Sequence, residues 1–125
     1  MSTPSPHDLF ADSSGAVDPA VVHQAVDAGE AVLLDVRETD EYTAGHAPGA
    51  VHLPLSRLRD GAEPPVDIGQ RPVFAICRSG ARSAIATGIL AERGHTVSNV
   101  VGGMHAWHQA GLPVVDELGG NGTVA

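Results

Sequence analysis

Apolar residues fall into two patterns that alternate along the chain: short continuous runs, and stretches in which they recur every three or four positions. The first helical stretch follows Asp18-Pro19, an N-cap and a first-turn proline that together open a helix. Val21, Val22, Ala25 and Val26 form its apolar face, and Gly29 stops it. Ala31 to Val36 (AVLLDV) is a continuous run suited to a strand buried on both faces. A short helix is predicted from Glu38 to Ala44, ended by Gly45, then a strand over Val51 to Leu53 and a helical turn over Leu55 to Arg59. Val73 to Ile76 (VFAI) repeats the buried-strand pattern and stops at Cys77. Ala81 to Arg93 carries Ala81, Ala84, Ile85, Gly88 and Ile89 at helical spacing, with Gly94 as C-cap. Thr96 to Val101 reads as a strand, Gly102-Gly103 as a turn, and Met104 to Ala110 as a last helix stopped by Gly111 and Pro113.

Strands alternating with helices imply parallel pairing. The expected fold class is α/β: a three-layer domain whose central, mostly parallel sheet of about five strands carries helices on both faces. Such sheets place reactive groups beyond the carboxyl ends of their strands, where Cys77 falls. A chain of 125 residues has room for one core. The domain is expected over residues 15–116, between a flexible N-terminal arm (1–14), rich in Ser, Pro and Asp, and a flexible C-terminal tail (117–125) with three glycines.

Aromatic residues make up 3% of the chain, so the core must be packed from aliphatic side chains. The formal charge is −8, with no lysine and seven arginines, which argues against nucleic acid or a membrane surface as partner. One cysteine excludes an internal disulfide. Among seven histidines, His105 and His108 are spaced i,i+3 and His46 and His52 flank a turn, but no tight set of three or four ligands forms. Neither a metal nor a cofactor is expected. The first fourteen residues lack a basic and apolar leader, and no run reaches transmembrane length, so a reducing cytoplasm is the expected compartment.

The chemistry concentrates in Cys77-Arg78-Ser79-Gly80-Ala81-Arg82-Ser83, which runs from a strand end into a helix start. The first N–H groups of a helix lack intrahelical partners and attract negative charge. Gly80 permits a turn tight enough to aim them at one point. A cysteine there, beside Arg78 and Arg82, ionises more readily than a free thiol, and the same cradle suits a persulfide anion or an oxyanion. A lone cysteine ending an apolar strand reads as inert core. A polar, glycine-bearing loop with two cations is not what a core cysteine needs.

Three ordered motifs resemble the rhodanese-like family. Leu34-Asp35-Val36-Arg37, Glu41-Tyr42 and Gly45 to Ala50 are similar to its upstream signature, Cys77 to Ser83 to its active-site loop, and Val100 to Gly103, Ala106-Trp107 and Gly111 to Val114 to its closing segment. The resemblance spans about Asp18 to Val115. It implies a sulfurtransferase in which Cys77 takes sulfur from thiosulfate or a persulfide donor, holds it as a persulfide, and passes it to a thiophilic acceptor such as cyanide or a thiol. Arg78, Ser79, Gly80, Ala81, Arg82 and Ser83 would then form the substrate cradle, with Arg78 and Arg82 drawing the anionic donor. Arg82 is open to either a donor-binding or a structural ion-pair role. Asp35 and Arg37 are expected to support the site, Glu41 and Tyr42 to pack and pair, and Trp107 to lie in the core.

Two other readings compete. A rhodanese-like sulfur-relay or regulatory module, with a protein partner in place of thiosulfate turnover, fits the same loop. A cysteine phosphatase fits less well, because its loop sets an arginine after five intervening residues; here that slot is Ser83 and Arg82 comes one position early.

Overall fold

The computed structural model describes residues 17–125, and the predicted arm over residues 1–14 lies outside them. Helix α1 (Pro19–Asp27) starts at the anticipated cap: the Asp18 carboxylate accepts the Ala20 N–H at 2.9 Å. Then follow β1 (Val32–Asp35), α2 (Thr39–Ala44), β2 (Val51–His52), α3 (Leu55–Arg59), β3 (Val73–Ile76), α4 (Ala81–Glu92), β4 (Val97–Asn99) and α5 (Gly103–Gln109).

The strands form one sheet in the order β2-β1-β3-β4, and every neighbouring pair is parallel. Among the described residues the sheet therefore has four strands, where about five were expected. The long connection before β3 holds Pro64, Pro65 and Pro72, which cannot donate to a ladder. The strand expected over Thr96 to Val101 is paired only across β4. Central β1 and β3 are buried at every residue, which explains their continuous apolar sequences.

Alternation along the strands divides the core in two. Val32, Leu34, Val73, Ala75 and Cys77 pack with Leu55 and Leu58 of α3 and Ala86 and Leu90 of α4. Leu33, Phe74 and Ile76 pack on the other side with Val22 and Ala25 of α1 and Met104 and Trp107 of α5. Trp107 is fully buried, and its indole N–H donates to the Pro113 carbonyl at 2.9 Å.

Helix α4 turns inward a face other than the one its apolar spacing suggests. Ser83, Ala86 and Leu90 are buried, whereas Ala81, Ala84, Ile85 and Gly88 are exposed. Most of its residues are small, so its faces differ little in hydrophobicity, and contacts of Ser83 at the strand ends set its rotation.

The glycines of residues 117–125 serve a turn. Asp116 Oδ1 accepts the N–H groups of Leu118 and Gly120 at 3.0 and 2.9 Å, and Thr123 N–H donates to the Ala44 carbonyl at 3.0 Å. Gly45 must be glycine for this return, since a Cβ there would overlap the Thr123 backbone. Among the described residues, no helix is long and apolar enough to cross a membrane.

Candidate active site

The chain leaves β3 at Ile76, and the next residue, Cys77, is 1% exposed. Residues 77–83 curl back over its sulfur. Gly80 N–H points at Sγ from 3.1 Å and Ser83 N–H from 3.3 Å, and the Ser83 hydroxyl lies 3.2 Å away. Gly80, at the N-cap of α4, has φ +112°, a left-handed conformation that glycine adopts without steric cost. The donors on the sulfur are thus the unpaired N–H groups of a helix start.

The loop carbonyls point the other way. Met104 N–H donates to the Cys77 carbonyl at 2.8 Å, and His105 N–H to the Arg78 carbonyl at 3.1 Å. That approach depends on Gly103, whose φ is +56° and whose Cβ, if present, would overlap the Cys77 and Arg78 backbone. Two helix N-termini therefore grip one loop: α4 offers its N–H groups to the sulfur, and α5 offers its own to the carbonyls.

Burial pushes the Cys77 thiol up. The Ser83 hydroxyl and the N–H groups of Ser83, Gly80 and Ser79 outweigh burial and hold the thiol below its ordinary range. The arrangement favours a thiolate.

Asn99, at the end of β4, joins this network. Its Oδ1 lies 2.5 Å from Ser83 Oγ, and its Nδ2 donates to the Gly80 carbonyl at 3.0 Å. Because a carbonyl only accepts, Gly80 fixes which way the amide faces. Asn99 is not among the residues that the sequence pattern singles out. The available signal was a polar residue closing a strand, on the same sheet edge as Cys77.

Arg82 pairs with Glu41 of α2 in bidentate fashion, Nη1 to Oε1 at 2.6 Å and Nη2 to Oε2 at 2.8 Å. The hydrogen bond from Arg82, opposed in part by burial, holds the Glu41 carboxyl below its usual range. Arg78, Ser79 and Ala81 are exposed. Asp35 and Arg37 are brought together apart from the loop. Arg37 Nη2 meets Asp35 Oδ2 at 2.8 Å and the Gly45 carbonyl at 2.6 Å, with both side chains fully buried. Among the described residues, neither side chain hydrogen-bonds to residues 77–83. Tyr42 is stacked between His46 and His52, with ring centroids 3.8 and 4.3 Å away. No group of three or more His, Cys, Asp or Glu placed to hold a metal occurs among the described residues.

The family model for the Rhodanese-like domain matches residues 18–110. The chain belongs to the rhodanese-like domain family. A rhodanese-related protein from Thermoplasma volcanium has a similar crystal structure, with TM-score 0.68 and 30% identity, covering 82% of this chain and 98% of that one. Thiosulfate sulfurtransferase 16, chloroplastic, of Arabidopsis thaliana is 37% identical over 109 residues, covering 78% of this chain and 90% of that protein. The HTH-type transcriptional regulator Rv0324 of Mycobacterium tuberculosis is 35% identical over 109 residues, covering 86% of this rhodanese-like chain. The chain spans 47% of that regulator, about half its length.

Proposed function

We propose that the chain is a sulfurtransferase in which Cys77 carries sulfur as a persulfide. The observation that carries this reading is the convergence of Gly80 N–H, Ser83 N–H and the Ser83 hydroxyl on one buried sulfur. The Cys77 thiolate attacks the outer sulfur of thiosulfate or of a persulfide. With thiosulfate, a new S–S bond forms to Cys77, the sulfane bond breaks, and sulfite leaves with the bonding electron pair. A thiol or cyanide then attacks the outer sulfur of the enzyme persulfide and releases the thiolate.

In this reading the loop from Arg78 through Ser79, Gly80, Ala81 and Arg82 to Ser83 is the cradle. Its N–H groups stabilise negative charge on sulfur in both half-reactions without reorganising. Arg78, exposed beside the cysteine, draws the anionic donor. Asp35 and Arg37 brace the sheet edge, and no metal or cofactor takes part. A reducing compartment such as the cytoplasm keeps the thiol available.

The sulfurtransferase name of the Arabidopsis relative supports this reading. The longer regulator among the relatives favours a second one, in which the domain relays sulfur from a protein partner or serves a regulatory role without thiosulfate turnover. Phosphatase chemistry is the weakest fit, since Ser83 fills the arginine slot and Glu41 holds Arg82.

Steady-state kinetics test the proposal. With cyanide as acceptor and thiosulfate or cysteine persulfide as donor, parallel double-reciprocal lines are expected, and Cys77→Ser is expected to lose at least about a thousandfold in kcat/KM. Intersecting lines with activity retained in the variant would exclude the covalent route.

A further inference from the structure

We infer that Glu41 is a specificity-determining residue: by occupying Arg82, it turns the loop away from dianionic donors such as thiosulfate and toward persulfides of low net charge. This rests on the sulfur-transfer reading above. Two arginines in one short loop, taken alone, suit a dianion. The structure commits one of them elsewhere, because both Nη atoms of Arg82 are matched to the two oxygens of Glu41 at 2.6 and 2.8 Å.

Glu41 is itself held in place, since its Oε1 also accepts the Glu38 N–H at 3.1 Å, across the first turn of α2. Glu38, the N-cap of that helix, lies within electrostatic reach of Arg82 as well. The start of α2 thus sets two carboxylates against Arg82, one of the loop's two cations. The side chains of Arg82 and Glu41 are 34% and 19% exposed, so an arriving anion must displace a carboxylate already seated. Arg78 remains, with no side-chain hydrogen bond or ion pair to any described residue. The formal charge of −8 adds a repulsion that a dianion feels twice over.

The chemistry of the two donors differs at the point where this matters. Attack on thiosulfate expels sulfite, so a loop with one uncommitted cation must balance a multiply charged donor and leaving group. Attack on R–S–SH forms the bond from Cys77 Sγ to the terminal sulfur and breaks the bond between the donor sulfurs. The electron pair leaves on R–S⁻, which takes a proton from water, and the transferred sulfur keeps its own.

The test compares kcat/KM for thiosulfate and for cysteine persulfide, with cyanide as acceptor, in the wild type and in Glu41→Gln. Glutamine keeps the side-chain shape and an acceptor for the Glu38 N–H but releases the charge of Arg82. The expected result is preference for cysteine persulfide in the wild type by about tenfold or more. The variant should gain about tenfold with thiosulfate and change less than about twofold with the persulfide. A preserved donor ratio in folded Glu41→Gln would overturn the inference and leave the sulfur-transfer reading standing. Failure of both donors to load Cys77 in the wild type would remove that reading and the inference with it. Should Glu41→Gln not fold, the wild-type ratio decides: parity or a preference for thiosulfate overturns the inference.

Discussion

Ser83 has one hydroxyl proton and three neighbours for it: Asn99 Oδ1 at 2.5 Å, Cys77 Sγ at 3.2 Å and the Gly80 carbonyl at 3.3 Å. The backbone donors on the sulfur are fixed by the helix start, so this hydroxyl is the adjustable one. A depressed thiol pKa means that thiolate persists below the ordinary thiol range and is lost only as pH falls through the lower value. Ser83→Ala removes one of the groups that lower it and keeps the Ser83 N–H. The midpoint of the iodoacetamide alkylation rate against pH should therefore move up; an unchanged or lower midpoint would contradict the role given to the hydroxyl. The buried pair is a separate matter of stability. Asp35→Ala leaves the fully buried Arg37 without its carboxylate, and urea denaturation should show a loss of about 3–5 kcal/mol.

The grip of α5 on the loop makes a sharp demand on one glycine. Gly103→Ala combines a left-handed backbone with a Cβ driven into the Cys77 and Arg78 backbone, so it should cost about 3 kcal/mol or more and displace the cradle. Gly94→Ala has a similar positive φ but open space around it, and should cost only about 1 kcal/mol. Thermal unfolding of the two variants separates collision from backbone strain. The elements themselves were readable where the pattern was strong: β1 and β3 are unbroken apolar runs, and α1 starts at an Asp-Pro cap. The inward face of α4 was not readable, because its small residues leave the choice to Ser83 and its tertiary partners. The tail glycines suggested looseness, since nothing local announces that Thr123 pairs with Ala44.

Taken whole, the molecule builds its candidate site from segments far apart in the chain. Residues 77–83 announced the thiol and its helix-start donors. Asn99 arrives from β4, Gly103 from α5 and Glu41 from α2, and only the parallel order β2-β1-β3-β4 brings them to the same edge. Among the described residues the core on either side of the sheet is aliphatic apart from Phe74, Cys77, Met104 and Trp107, so the fold rests mainly on close packing of Val, Leu, Ile and Ala. The central claim is that Cys77 accepts and holds sulfur. Intact-protein mass after incubation with thiosulfate or cysteine persulfide, beside Cys77→Ser, tests it most directly. The account predicts one added sulfur that cyanide removes and that the variant never gains. An unmodified mass with both donors, at a thiol shown to be accessible by alkylation, would contradict it.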